Sequence, residues 1–106
     1  MTRRANLFGI ETGELGNVRM QVEKILGVSL EAHDSEYHGG DYFKGSGADF
    51  NIVLQTNFMQ DDGEPAEAEF PHALLLLYVN GDEARVNKMD TALIESGFKL
   101  LRSRTF

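Results

Sequence analysis

The chain has 106 residues, of which 42% are hydrophobic and 25% charged, with a formal charge of −7 and no cysteine. Those totals describe one globular domain spanning residues 1–106 and able to bury its own core; they exclude a disordered chain, a disulfide scaffold, thiolate catalysis and cysteine metal sites. The longest apolar run, Ala73 to Val79, is seven residues, far below the roughly 20 that span a bilayer.

Arg3-Arg4 suggests a twin-arginine signal, but only Leu7, Phe8 and Ile10 follow before Glu11, which is too short for its apolar segment. The expected location is therefore cytoplasmic. The same residues predict a first strand over about 5–11, ending at Thr12-Gly13. Leu15, Val18, Val22, Ile25 and Leu26 then form one apolar stripe at helical spacing, and Gly27 stands where a helix ends in a left-handed residue.

Glu36 to Lys44 predicts a hairpin turning at Gly39-Gly40, with Tyr37 and Tyr42 facing each other. After Gly45-Ser46-Gly47 comes strict alternation, with Phe50, Ile52, Leu54, Thr56 and Phe58 on one side and Asn51, Val53, Gln55 and Asn57 on the other. Residues 59–71 lack periodicity and predict a long exposed loop. The run Ala73–Val79 is apolar on both faces, as expected of a central strand covered on each side, or by helices on one side and by a partner or a loop on the other. Asn80-Gly81 is expected to turn the chain, and Asp82 to cap a helix from Glu83 to about Ser96 with Val86, Met89, Leu93 and Ile94 inward. Gly97 closes that helix, and a last strand runs from Phe98 past Arg102 and Arg104. The order β-α-β-β-β-β-α-β predicts an α+β domain: a mainly antiparallel sheet of five to six strands with two helices on one face. A ferredoxin-like βαββαβ core with an added hairpin fits that order.

Charge is distributed unevenly along this frame. Residues 31–69 hold ten carboxylates against one cation, Lys44, while each flank is near +1. A field concentrated in this way steers a basic partner and repels nucleic acid and anionic membrane.

The residues that suggest chemistry do not assemble into a reaction. His33, Asp34 and His38 match no metal-ligand spacing. Setting Gly63 as the sixth position of a calcium loop puts Phe58 and Gln60 at the first and third, where oxygen ligands belong. Lys44-Gly45-Ser46-Gly47 is followed by a strand and not by the helix N-terminus that a phosphate loop needs. Asp61, Asp62, Glu64 and His72 offer acid and base groups, but the loop has little apolar surface to shift a carboxyl pKa. The expectation is a non-enzymatic protein with no cofactor and no metal.

The segment Ser35-Glu36-Tyr37-His38-Gly39-Gly40-Asp41-Tyr42-Phe43, the strand reaching Asn57-Phe58, the acidic loop before Phe70-Pro71, and the run ending Leu77-Tyr78-Val79 form a combined pattern. It resembles small immunity proteins of bacterial polymorphic toxins, especially those of contact-dependent growth inhibition systems. The resemblance implies a cytoplasmic protein that binds and blocks the C-terminal domain of its cognate toxin. Many such toxins are nucleases, whose clefts are basic because they hold phosphates. An acidic surface suits such a cleft. The expected contacts are Asp61, Asp62, Glu64, Glu67 and Glu69, with Tyr37 and Tyr42 as anchors. The alternative is a ferredoxin-like ligand-binding or regulatory module acting as a homodimer; oligomeric state stays open.

Overall fold

A computed structural model describes residues 2–35, 40–58 and 65–105. Its elements are β1 (Arg3–Ile10), α1 (Leu15–Leu26), β2 (Glu31–Ser35), β3 (Gly40–Ser46), β4 (Phe50–Thr56), β5 (Leu75–Asp82), α2 (Glu83–Glu95) and β6 (Lys99–Thr105). The strands form one sheet in the order β2-β3-β4-β5-β1-β6, with each neighbouring pair antiparallel. This is the expected α+β domain. The strands β6-β1-β5-β4 with the two helices make a split β-α-β core, which β2 and β3 extend beyond β4.

Period-two burial places Phe8, Ile52, Leu54, Leu75, Leu77 and Val79 on the sheet face that the helices cover. Val18 and Val22 of α1 and Val86, Met89 and Leu93 of α2 close the core over them. Each fully buried side chain of this kind contributes about 1.5–3 kcal/mol. α1 ends as expected: Gly27 adopts φ 66° and its N–H donates to Glu23 O at 2.8 Å. The polar side of α1 is put to use. Arg19 donates to Leu30 O at 3.1 Å and Glu23 accepts from Leu30 N at 2.8 Å, which satisfies both backbone groups of a buried residue.

Several expectations are corrected. β1 begins at Arg3, because its first residues pair with Gly81 and Asp82 at the far end of β5. The chain does not turn at Asn80-Gly81; β5 runs through Asp82 directly into α2. Asp82 occupies the N-cap position without a side-chain cap bond, and the Glu83 N–H donates to Thr2 O at 3.0 Å. Ile94 is half exposed and Asp90 is buried in its place. At 3.6 residues per turn, Asp90 lies about 40° from Val86 around the helix and Ile94 about 80°, so the apolar residue falls off the stripe.

β2 and β3 pair in a register that sets Tyr42 opposite His33 and Gly40 opposite Ser35. Gly40 is therefore already in a strand and is not a turn residue, and Tyr42 is not matched with Tyr37. Residues 36–39, with Tyr37, lie outside the described residues.

The helix-free face is covered where a loop had been expected to stand in solvent. Ala66, Phe70 and Ala73 pack with Leu7, Leu76, Tyr78 and Leu101 in a second, smaller core. This explains why the run before Val79 is apolar on both faces: Leu75, Leu77 and Val79 meet the helices, while Leu76 and Tyr78 meet the loop. The register between β1 and β6 shifts between Leu7 and Phe8, with Leu7 opposite Arg102 and Phe8 opposite Leu100. The extra residue is Leu101, and this bulge sends both Leu101 and Arg102 to the loop-covered face.

Candidate functional site

Asn57 continues the polar side of β4 one residue beyond the strand and is buried. Its Nδ2 donates to Phe70 O at 2.8 Å and to Ala73 O at 2.9 Å, and its Oδ1 accepts from Glu67 N at 2.9 Å. One side chain thus fixes three points of the returning loop. Backbone bonds from Asn57 N to Leu74 O (3.0 Å) and from Leu74 N to Ile10 O (2.8 Å) extend that frame to the end of β1.

On this frame Glu67 meets Arg102 and Tyr78. Arg102 reaches both carboxylate oxygens at 3.2 Å in a forked pair, and Tyr78 Oη donates to Oε1 at 2.7 Å. Partial burial pushes the Glu67 carboxyl upward, but the bonds from Arg102 and Tyr78 and the charges of Arg102 and Arg104 outweigh it, leaving a net lowering. Burial, and then the bond to Glu67, push the Tyr78 hydroxyl well above its usual value. The bond to Glu67 raises Arg102 despite its partial burial.

A second buried polar pair lies under α2. Asn6 Nδ2 donates to Asp90 Oδ2, and Asn6 Oδ1 and Asp90 Oδ1 are buried without a partner among the described residues. Burial raises the Asp90 carboxyl, opposed by Asn6 and by the Arg4 charge. A neutral Asp90 gains a donor that the carboxylate lacks. The two carboxyls therefore act in opposite directions on stability. Glu67, lowered in the folded state, stabilises above its ordinary value, and that contribution is lost as pH falls through its folded pKa; Asp90, raised, stabilises below its ordinary value, and loses that contribution as pH rises through its folded pKa. In urea unfolding followed across the acid range, Arg102→Met is expected to weaken the loss on acidification. Asp90→Asn, which carries a donor at every pH, is expected to remove the loss on raising pH. If both variants keep the parent's pH profile, neither pair supplies it.

Three of the expected contact residues, Glu67, Glu69 and Tyr42, lie among the described residues. Asp61, Asp62, Glu64 and Tyr37 lie outside the described residues. Glu67 is engaged within the chain by Arg102 and Tyr78, and Glu69 is exposed beside it. Tyr42 is half-buried, its ring stacked on His33 with centroids 5.3 Å apart. Arg102, Tyr78 and Asn57 were not singled out by sequence reasoning. The one hint was Asn57, a polar residue in phase with Gln55 on a face that proved to be covered.

Charge differs between the two edges of the sheet. Exposed Glu31 lies on β2 at one edge, with Lys44 opposite it on β3, whereas β6 at the other edge carries Lys99, Arg102 and Arg104 and no acid. Glu31, Asp49 and Glu69 are exposed.

Between the first turn of α1 and the returning loop lies an open groove lined by Leu15, Phe58, Pro71, Ala73 and Leu74. Phe58 and Leu74 are 49% and 53% exposed, large values for apolar side chains that share one surface. A smaller hollow of about 150 Å³ adjoins it across Pro71–Ala73, with Glu11, Glu69 and Lys99 at its walls.

Among the described residues no group of three His, Asp or Glu side chains is placed to hold a metal, and no helix is long and apolar enough to cross a membrane. Comparison with protein-family models finds no match, and the sequence matches no curated protein.

Proposed function

We propose that this protein is a cytoplasmic immunity protein that binds and neutralises a cognate toxin domain, a basic nuclease, through its acidic surface. The observation that carries the reading is the unequal charge: exposed Glu31 on the edge strand β2, with Asp49 and Glu69 also exposed, and Lys99, Arg102 and Arg104 on β6 at the opposite edge of the sheet from β2. Such a field turns the acidic side of the molecule toward a phosphate-binding cleft and raises the association rate. The resemblance to immunity proteins supplies the class of partner, and no catalytic role is assigned to any residue.

Co-expression with the product of the adjacent gene, followed by co-purification at low and high salt, tests the reading. A stoichiometric complex with a basic toxin domain, associating more slowly as salt rises, is expected. No complex, or one whose association rate ignores salt, sinks it. A second reading draws on the split β-α-β core, an arrangement suited to ligand-binding modules that pair as homodimers. Sedimentation of the purified chain as a dimer without a toxin partner would favour it.

A further inference from the structure

The apolar groove is held by polar contacts that its own exposed side chains do not need. Buried Asn57 fixes Phe70 and Ala73, and the Asn57–Leu74–Ile10 backbone bonds fix the position from which Leu74 projects. Phe58, Pro71 and Leu74 are thus presented outward beside this frame, with half-buried Leu15 forming the opposite wall, and a surface fixed before contact loses little entropy on binding. The surroundings of this surface are acidic. Glu14 lines the groove itself, and Glu11 and Glu69, both exposed, line the adjoining hollow with Lys99 as the cation there. An apolar floor with a carboxylate rim complements an apolar side chain flanked by lysine or arginine.

Resting on the reading of a basic partner, we infer that this groove is the docking point for that partner, taking one of its apolar side chains over Phe58 and Leu74 while Glu11, Glu14 and Glu69 meet the cations beside it. The β2–β3 edge then serves to orient the encounter, and the groove supplies the anchor. Interfaces commonly concentrate their energy in such a central apolar contact with a charged surround.

The test uses the full chain, labelled with nitrogen-15, and two hexapeptides: one with a central leucine-phenylalanine pair between lysines, and its counterpart with glutamates. The lysine peptide is expected to shift the amide signals of Gly13, Ala73, Leu74 and Leu75, with the glutamate peptide weaker by at least about tenfold. Phe58→Ser/Leu74→Ser should abolish those shifts while lowering the melting temperature only modestly and leaving the fold intact, since about half of each side chain is already in solvent. Shifts confined to Glu31, Lys44 and Gly45 would overturn the groove as the anchor while leaving the acidic reading in place. Equal binding of both peptides in the groove, or no shift there at millimolar peptide, would overturn it as well, and the fate of the acidic reading would still be decided separately by co-purification with the toxin domain.

Discussion

Asn57→Ala is expected to free residues 65–73 from the sheet while the helix-packed core stays folded. The substitution removes two donors and one acceptor at a buried site, taking their side-chain partner from Ala73 O and Glu67 N and leaving Phe70 O with only the Ala73 N–H at 3.2 Å. Each such group costs about 1–3 kcal/mol when stranded, and water reaching the loosened loop recovers part of this, so a net loss of about 3 kcal/mol is expected. Asn57→Asp should be no milder, because it retains the acceptor for Glu67 N but turns a carboxylate toward two carbonyl oxygens. Hydrogen exchange would show the loss first at Glu67, Phe70 and Ala73, ahead of Val22 or Leu77. The Glu67–Arg102 pair depends on the same loop placement, so Asn57→Ala and Arg102→Met should be less than additive. Full retention of amide protection at Ala73 in Asn57→Ala would show that the apolar contacts of Phe70 and Ala73 hold the loop without the latch.

Gly81→Ala is expected to be the most damaging small change in the sheet. A methyl at this position would stand 2.3 Å from Asp49 O and 2.8 Å from the Phe50 Cα, and the residue has φ 156°. Both obstacles are backbone, so no rotamer change relieves them. Asp49 O is also the acceptor for Asp82 N at 2.9 Å, so separating the strands breaks that bond at the entry to α2. Strain of this type costs about 3 kcal/mol or more, which for a domain of this size lowers the melting temperature by about 12–20 °C. Gly27→Ala is the control: nothing lies within 4 Å of its Cβ, so only the cost of the left-handed backbone remains. A Gly81→Ala protein melting within 2–3 °C of the parent would mean, on that same scale, that β4 and β5 are not as closely apposed at this end.

What the sequence revealed followed periodicity. Alternation from Phe50 to Thr56, the Leu15–Leu26 stripe and the left-handed Gly27 each arise from neighbours a few residues apart, and each appears in the structure as expected. The candidate site arises from longer-range matches. Glu67 meets Arg102 across 35 positions, and it does so only because a bulge at Leu101 turns Arg102 to the loop side. A register shift leaves no periodic trace, so the last strand was legible and its facing residues were not. Likewise the hairpin glycines suggested a turn at Gly39-Gly40, whereas the observed register runs from Glu31 opposite Lys44 to Ser35 opposite Gly40. The acidic segment was visible as composition. That Glu67 is spent inside the fold, while Glu31 and Glu69 face solvent, depended on which cation the folded chain brought near.

The position of β1 bears on how the protein comes into being. It is made early and ends up inside the sheet, yet its two neighbours are β5, starting at Leu75, and β6, starting at Lys99. During synthesis β2, β3 and β4 can pair with one another as they emerge, with β4 lacking only β5, whereas β1 must wait unpaired for most of the chain to be made. Contacts so distant in sequence slow folding and leave an apolar strand open to misassociation in the interval. For a protein proposed to intercept a toxin, protection would begin only after the segment carrying Arg102 has been made and has docked beside β1, a delay set by chain order and not by affinity.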